Sequence, residues 1–366
     1  MIPESRVASL RARMAEHGLD AVALASPELI YYLTGLDHHG YFAFTLLVVP
    51  RDGDLALVTR EMERPTVRAQ VPQCRHVTFG DGTDPATAVA GALAGVPAGG
   101  RIATEDAAIF FPPAIHARAR LALPGRRWTD ATPLLTGTMA VKTADEVELV
   151  RAAAAISDAA MAAGTARARE GTAEHDVAAA VHHALYSTGG QQPGFVPMIR
   201  PLWMLEQEHV SWGPRTLTRG TGLFLELSGC VRRYHAPLSR TVYVGDPPEG
   251  AAEAHAAALA GLEAARATLR PGVCTGDVYA AWHAAAGVTV PRHHCGYLVG
   301  IGFPPSWVGG GEVLGIRPGG DTRVRAGMTF HLMSWVPGHV VSDTALVTSE
   351  HTEFLTRTSR DLTVVS

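Results

Sequence analysis

The sequence predicts a protein of the mixed α/β class with two domains, and three observations support this prediction. The chain has 366 residues, a length typical of two domains. Segments with strand-like and helix-like patterns alternate over residues 1–137, as in a small α/β domain. Residues 138–366 contain an internal repeat, in which an alanine-rich helix is followed by a second helix and a β-hairpin.

The elements of the first domain follow from the spacing of its apolar and turn residues. A helix is expected over 5–17, ending at Gly18, and a second over 27–33, before Gly35. Strands are expected where short apolar runs are bounded by turn residues, at 21–26, 45–50, 55–60 and 101–106. The turn at 51–54 joins the second and third of these strands into a hairpin.

The second domain opens with a long helix whose start is marked by a capping box, Thr143 followed by Glu146. Beyond it, residues 171–184 align with residues 272–285, and each segment follows an alanine-rich helix. Hairpin strands follow in both halves, at 222–229 with 239–244 and at 327–334 with 342–347. We expect the two halves to pack their sheets together, with the helices outside and a cavity between the halves.

The composition favours a globular cytoplasmic protein. Hydrophobic residues make up 47% of the chain and charged residues 18%, which excludes a largely disordered protein. The net charge of −4 gives no basic surface for nucleic acid or an anionic membrane, so neither partner is expected. The first residues are charged and lack an apolar core, so no signal peptide is expected, and no apolar run has the length of a membrane span. The four cysteines form no CxxC pair, so disulfides and a structural zinc site are not expected.

This order of elements, with several short motifs, resembles the creatinase and aminopeptidase P family. The motifs lie at residues 33–35 (Leu-Thr-Gly), 142–151 (Lys-Thr-Ala-Asp-Glu-Val-Glu-Leu-Val-Arg), 240–244 (Arg-Thr-Val-Tyr-Val) and 327–330 (Gly-Met-Thr-Phe). The resemblance implies a creatinase-like N-terminal domain followed by a catalytic domain of the pita-bread fold. It also implies a homodimer, in which His39 and Tyr41 of one N-terminal domain contact the substrate in the partner's active site.

The metallopeptidases of this family hold two metal ions with two Asp, one His and two Glu side chains. The resemblance places these five ligand positions on Glu226, Pro237, Tyr297, Met333 and Ser342. Proline offers no side-chain donor and methionine is a poor ligand for hard divalent ions. We therefore expect a metal-free member that uses no cofactor.

A second possibility is that histidines rebuild a metal site in the same cavity. The chain has 17 histidines, and four of them come near the expected cavity: His235, His293, His294 and His331. Their spacing matches no standard zinc pattern, so the metal-free interpretation is preferred.

Two further segments resemble the ectoine hydrolase branch of the family. Residues 226–240 share its Glu, Gly-Cys, Arg-Tyr-His and Pro-Leu-Ser-Arg positions, and residues 296–307 share its Gly-Tyr and Pro-Pro segments. Ala236 and the segment 333–335 depart from that pattern. The resemblance implies hydrolysis of a C–N bond in a small cyclic amidine or amidino compound, such as ectoine, 5-hydroxyectoine or an analogue.

The resemblance and the chemistry of the side chains together assign four catalytic candidates. Glu226 is the nucleophile or the base that holds a water, and His209 carries the proton to the leaving nitrogen. Tyr297 donates a hydrogen bond to developing charge, and Cys230 is a second nucleophile candidate. The alternatives are a core ion pair for Glu226, a loop position without function for His209 and simple packing for Cys230.

The expected substrate-binding residues are an arginine and several histidines. Arg240 or Arg233 would bind a substrate carboxylate. His235, His294 and His331 would line the cavity.

Three other functions stay open at this point. A creatinase-like amidinohydrolase would use the same metal-free chemistry. A Xaa-Pro dipeptidase or aminopeptidase would need the metal ligands that the sequence lacks. A binding protein would recognise a small molecule without turning it over.

Overall fold

The computed structural model describes residues 4–290, 292–309 and 313–366. These residues divide into two compact units, one extending to Thr138 and the other beginning at Met139, with Gly309 belonging to the first. Both units contain helices and strands, which confirms the predicted α/β class. No helix in the described ranges has the length and apolar character needed to cross a membrane.

The first unit has a mixed sheet with helices around it. Its helices are α1 (Glu4–Glu16), α2 (Pro27–Thr34), α3 (Arg64–Gln70), α4 (Pro85–Ala92), α5 (Pro113–Ala122) and α6 (Thr132–Leu135). Its strands are β1 (Ala21–Leu24), β2 (Leu46–Pro50), β3 (Ala56–Arg60), β4 (Arg75–Phe79), β5 (Arg101–Thr104) and β6 (Arg127–Asp130). Within the described residues they form a sheet of order β4-β3-β2-β1-β5-β6.

The predicted helices α1 and α2 and the predicted β2–β3 hairpin are confirmed, with strands β2 and β3 antiparallel. Strands β4 and β6 were not predicted, and both lie at the edges of the sheet. Their side chains are largely half-buried or exposed. An edge strand lacks the strong apolar pattern from which the sequence predicts a central strand.

The second unit carries the predicted repeat. Its helices are α7 (Ala144–Arg167), α8 (Glu174–Ser187), α9 (Ala251–Thr268) and α10 (Thr275–Ala286). Its strands are β7 (Met198–Pro201), β8 (Gly222–Val231), β9 (Tyr234–Val244), β10 (Gly296–Leu298), β11 (Thr329–Val336), β12 (His339–Val347), β13 (Thr352–Phe354) and β14 (Thr363–Val365). The capping box predicted at the start of α7 is present, with both of its hydrogen bonds formed.

The two hairpins, β8–β9 and β11–β12, lie side by side in one sheet. The sheet order among the described residues is β10-β11-β12-β9-β8-β7, with β13 paired to β12 and β14 paired to β9. The hairpins meet where Ser342 of β12 pairs with Ser239 of β9. The two halves of the repeat therefore share a single continuous sheet.

The first hairpin is longer and its turn tighter than the sequence predicted. Strand β9 begins at Tyr234 and not at Ser239, because the turn consists of Arg232 and Arg233 alone. Both arginines have positive φ, 47° and 66°, as a two-residue type I′ turn requires. As a result Pro237 lies inside a strand, opposite Ser228.

The sheet buries a different set of side chains on each face. In β8, Leu223, Leu225 and Leu227 pack with α7 and α8 in one apolar cluster. The alternating residue Phe224 belongs to a separate cluster on the other face, together with Tyr297. The helices therefore cover one face, and the opposite face is left for a site.

Helix α7 approaches β8 closely at Gly229. A Cβ atom at this position would overlap the carbonyl oxygen of Ala153 in the helix. The Ser157 hydroxyl completes the contact, since it accepts from the Gly229 N–H at 2.6 Å and donates to the Ala236 carbonyl at 2.6 Å. This contact fixes the strand that carries Glu226.

We expect the substitution Gly229→Ala to destabilise the second unit, because the added methyl group must push α7 away from β8. Overpacking of this kind costs about 1–3 kcal/mol, which corresponds to a fall in Tm of roughly 5 °C in a unit of this size. Calorimetry measures the change.

The matched control is Gly91→Ala in α4, where an added Cβ meets no atom within 4 Å. Alanine is favoured over glycine inside a helix, so the control keeps or slightly raises the Tm. Equal Tm changes in the two variants would contradict the close packing at Gly229.

Candidate active site

Strand register brings the five ligand positions of the metallopeptidases to one face of the sheet. Glu226 pairs with Ser239, Ser239 with Ser342, and Ser342 with Met333. Paired residues share a face, so these four side chains lie on the face opposite the helices. Pro237 is two residues before Ser239 in the same strand and therefore shares that face.

The fifth position, Tyr297, joins the same face through strand pairing. It lies opposite His331, which is two residues before Met333 in β11. The resemblance therefore placed the five positions on residues that the fold does bring together.

The side chains at these positions do not fit two divalent metal ions. Within residues 4–290, 292–309 and 313–366, no group of three or more His, Cys, Asp or Glu side chains is arranged to hold a metal. Glu226 supplies the single carboxylate, while Pro237 and Met333 supply no hard donor.

A chain of neutral hydrogen-bonding groups crosses the face instead. Trp307 Nε1 donates to the Tyr297 hydroxyl at 3.0 Å, and that hydroxyl lies 3.0 Å from His331 Nδ1. His331 Nε2 lies 2.6 Å from Ser342 Oγ, which donates to Ser239 Oγ at 2.8 Å. Because the Ser342 hydroxyl donates its one proton to Ser239, His331 Nε2 must carry a proton and donate to Ser342 Oγ. His331 Nδ1 then accepts a hydrogen bond from the Tyr297 hydroxyl.

Burial keeps both ionisable members of this chain uncharged. It lowers the pKa of His331 to about 3 and raises the pKa of Tyr297 well above its usual value. The Tyr297 proton is held by His331, so Tyr297 would have to give up that hydrogen bond before donating to a substrate.

Glu226 is the buried carboxyl group of this face. Its Oε1 lies 4.0 Å from His331 Nδ1, and no arginine makes an ion pair with it in the described part of the chain. Burial raises the pKa of Glu226 to about 7, although Arg200 acts in the opposite direction. Near neutral pH this carboxyl group is therefore present in both its protonated and ionised forms, as suits a base or nucleophile.

Two arginines that the sequence analysis missed lie near Glu226. Arg200 is fully buried in β7, and its guanidinium lies 4.7 Å from the centre of the Phe224 ring. Arg292 lies over the Trp335 ring at 4.1 Å and pairs with Glu208 at 2.6 Å. Burial opposes ionisation of Glu208, but the charge and hydrogen bond of Arg292 lower its pKa below the usual value.

His209 lies at the rim of the site. It is exposed, has a φ of 59°, and stacks on Phe195 with ring centres 5.9 Å apart. Phe195 in turn contacts Trp307 edge to face at 4.8 Å. His209 makes no hydrogen bond or ion pair with other described residues, so its ring nitrogens are open to solvent.

Arg240, expected to bind a substrate carboxylate, lies on the other face of the sheet. It pairs with Leu225, not with Glu226, so its side chain points away from the site. Its guanidinium donates to five acceptors of the protein, the carbonyls of Ser239, Ser342, Thr358 and Ser359 and the carboxylate of Asp343. Arg240 is therefore a structural residue, which corrects the expectation.

Arg233 and His235 lie at the turn end of the first hairpin. His235 Nε2 accepts from the Gly194 N–H at 2.9 Å, and Nδ1 lies 2.9 Å from the Arg233 carbonyl. Burial lowers the pKa of His235 to about 4, so the ring is a neutral bridge between backbone groups. The Arg233 guanidinium lies over the Phe303 ring at 4.5 Å.

His294 and Cys230 are two further residues that the sequence analysis assigned to the site. His294 contacts the Tyr297 ring edge to face at 5.5 Å, and burial lowers its pKa to about 4. Its Nδ1 is buried without a hydrogen-bond partner among the described residues. Cys230 is four residues along β8 from Glu226, about 13 Å away in an extended strand, so the two cannot attack the same substrate atom.

His39 and Tyr41 belong to the first unit, where Tyr41 lies in a 3-10 turn at Gly40–Phe42 and His39 directly precedes it. His39 is exposed, and its ring centre lies 6.4 Å from that of Tyr41. Tyr41 also contacts Phe110 edge to face at 5.9 Å. A contribution of this loop to a partner's active site stays a prediction.

The raised pKa of Glu226 predicts a pH-dependent difference in stability between the wild type and Glu226→Gln. Below about pH 4.5 both the folded and unfolded wild type carry the proton, so burial costs nothing extra. Above about pH 7 the folded state holds a buried carboxylate, at a cost of about 3 kcal/mol that glutamine avoids. The Tm of Glu226→Gln minus that of the wild type is therefore expected to rise between pH 5 and pH 8.

The control is Glu253→Gln, an exposed carboxyl on α9, whose Tm difference stays flat over the same range. A flat difference for Glu226→Gln as well would mean that Glu226 is not a buried acid.

Comparison with known proteins places this geometry in a family. The model of metallopeptidase family M24 matches residues 148–352, more than half of the chain, and that of the creatinase/prolidase N-terminal domain matches residues 6–138. The hydrolase/peptidase y4tM of Sinorhizobium fredii is 29% identical over 99% of this chain and 97% of its own. Ectoine hydrolase of Halomonas elongata is 27% identical over 98% of this chain and 96% of its own.

The solved structures show the same fold. A prolidase from Thermococcus sibiricus superposes with a TM-score of 0.88 at 19% identity, over 100% of both chains. The predicted creatinase-like domain and pita-bread domain are thus confirmed. The chain belongs to metallopeptidase family M24, a family of hydrolases.

Proposed function

We propose that the protein hydrolyses a C–N bond of a small cyclic amidine or amidino compound, of the ectoine type, without a metal ion. The observation that carries this proposal is the buried carboxyl of Glu226, with a pKa of about 7, on a face where neutral groups occupy the metal-ligand positions. The similarity to an ectoine hydrolase over nearly the whole chain supports the same substrate class.

An amidinium group matches the chemistry of Glu226. It is a planar cation, and an N–H group beside its central carbon can donate to the carboxylate. Its central carbon is electrophilic and then lies beside the carboxylate. Pairing with the cation also favours the ionised form of Glu226, which is the form that reacts.

The hydrolysis needs one water molecule and two proton transfers. In one route the Glu226 carboxylate takes a proton from water while the water oxygen bonds to the amidinium carbon. One C–N bond then breaks, and the leaving nitrogen takes a proton, so an amidine yields an amide and an amine. In the other route a Glu226 oxygen bonds to that carbon first, and water completes the hydrolysis.

His209 suits the second proton transfer. Its ring lies at the solvent-exposed rim and is held over Phe195, so it can exchange protons with water. The buried histidines suit the task less well, because burial lowers the pKa of His331 to about 3 and that of His294 to about 4. Neither would carry a proton near neutral pH.

A creatinase-like amidinohydrolase is the second candidate. The guanidinium group of such a substrate is also a planar cation and would pair with Glu226 in the same way. A peptidase would act on a neutral amide carbonyl, which offers the carboxylate no cation to bind.

A substrate panel with the variant Glu226→Gln tests the proposal. Ectoine, creatine, a Xaa-Pro dipeptide and a simple amide are each incubated with the purified protein, and products are followed by chromatography. We expect turnover of ectoine or a close amidine, and a loss of at least about 100-fold in kcat for Glu226→Gln. In the wild type kcat/KM should rise as the pH increases through about 7, because the ionised carboxyl reacts.

Two further measurements act as controls. Cys230→Ala is expected to keep the wild-type turnover. If Cys230→Ala loses activity and Glu226→Gln does not, the nucleophile is Cys230. The protein should also stay active after treatment with a chelator. Mass spectrometry should find less than one bound metal ion per chain. Activity restored only by added Mn²⁺ or Co²⁺, with cleavage of the dipeptide, would overturn the metal-free proposal.

The proton-carrier role of His209 gives a separate prediction. His209→Ala should lower kcat by about 10- to 100-fold and remove one limb of the pH–rate profile, since general acid catalysis is lost. His183→Ala, which changes an exposed histidine on α8, is the matched control. An unchanged profile in His209→Ala would remove His209 from the mechanism.

A further inference from the structure

A group of charged residues near Glu226 has no part in the proposed hydrolysis. It consists of Arg200, Arg292 and Glu208, and both arginines interact electrostatically with Glu226. Phe224 and Trp335 lie against these arginines and against each other, with ring centres 5.5 Å apart. The group is therefore a charged, aromatic-lined wall on one side of the reacting carboxyl.

Arg200 is the fixed member of this wall. Its two terminal nitrogens donate to the carbonyls of Val210 and Leu205, at 3.1 and 3.2 Å. Its Nε is buried and has no hydrogen-bond partner among the described residues. Because the guanidinium is held from both ends, Arg200 acts as a stationary positive charge.

Arg292 is the member that can exchange its partner. Its Cζ lies 4.1 Å from the centre of the Trp335 ring, and the N–H groups of the guanidinium remain available to a carboxylate. In this structure Glu208 occupies that edge at 2.6 Å. Both side chains remain partly exposed, Arg292 by 19% and Glu208 by 36%, so an incoming anion can reach them.

We propose that Arg292 binds a carboxylate of the substrate, and that Glu208 occupies its place while the site is empty. This inference rests on the proposed function, in which Glu226 binds the amidinium end of the same molecule. The substrate class is then a small zwitterion, with a cationic amidine at Glu226 and a carboxylate at Arg292. Such a ligand replaces one carboxylate by another at Arg292 and adds a cation beside Glu226, so Arg292 and Glu226 each face an opposite charge.

The exchange also links recognition to the proton carrier. Glu208 immediately precedes His209, so releasing Glu208 from Arg292 removes one of the contacts that hold the segment carrying the imidazole. A substrate without a carboxylate would leave this loop in its resting position.

The test compares two substrates that differ in the carboxylate alone. They are ectoine and 2-methyl-1,4,5,6-tetrahydropyrimidine, the same cyclic amidine without its carboxylate. For Arg292→Gln we expect KM for ectoine to rise about 10- to 100-fold, the value of a charge-assisted hydrogen-bonded pair, with a smaller change in kcat. KM for the carboxylate-free ring should change much less, and Arg292→Lys should restore part of the affinity for ectoine.

The matched control is Arg266→Gln. Arg266 also pairs with a glutamate, Glu263 at 2.7 Å, and also lies over an aromatic ring, Phe354 at 5.8 Å, but on helix α9 outside the site. The substitution Arg266→Gln should leave KM for ectoine and KM for the carboxylate-free ring unchanged. Glu208→Gln removes the competing anion and should lower KM for ectoine several-fold.

The inference fails if Arg292→Gln weakens both amidines equally or neither. A separate experiment applies if the proposed function itself is wrong. If no amidine is turned over, the wild type is titrated with N-acetylglycine and its Tm is measured. A rise in Tm that disappears in Arg292→Gln supports the carboxylate subsite despite the failed function, whereas no Arg292-dependent rise overturns it.

Discussion

The junction between strands β9 and β12 is the constraint on which the second unit depends. The two halves of the repeat meet there, and several side chains bond across it to the backbone. Arg240 donates to the carbonyls of Ser239 and Ser342, and the Thr344 hydroxyl donates to the carbonyl of Pro237 at 2.7 Å. Because this junction fixes the register of the two hairpins relative to each other, it also decides which side chains of the second hairpin lie beside Glu226.

The same junction explains how the family's scaffold can hold different chemistry. The five ligand positions still converge, but here they carry groups that satisfy one another. Ser342 bonds to Ser239 and His331, and Tyr297 bonds to His331 and Trp307. The ligand positions thus carry buried groups that are mostly uncharged, and burial raises the pKa of Glu226.

Much of the fold could be predicted from the sequence, because the repeat and the capping box are local patterns. Glu226 could also be predicted, since an acidic residue stood alone in an apolar strand at a ligand position. Arg240 was expected to bind the substrate, although it lies three residues from Pro237, a ligand position in the same strand. With the turn at Arg232 and Arg233, pairing places Arg240 opposite Leu225, and alternation alone would have excluded it from the site.

Arg200 and Arg292 could not be found in the same way. Arg200 lies in a four-residue strand that the sequence did not predict, and Arg292 lies in a loop without periodicity. Their positions near Glu226 arise from tertiary packing around Phe224 and Trp335, which no local pattern encodes.

The hydrogen-bond chain through Tyr297, His331 and Ser342 has an evolutionary consequence. A single change that restored a carboxylate at residue 342 would bury an anion beside Ser239 and His331 without a metal to neutralise it. A histidine at residue 297 alone would break the link between Trp307 and His331. If the protein works without a metal ion, as proposed, each of these single substitutions lowers stability before a metal can bind, and the hydrogen-bond chain opposes the gain of a metal site by single substitutions.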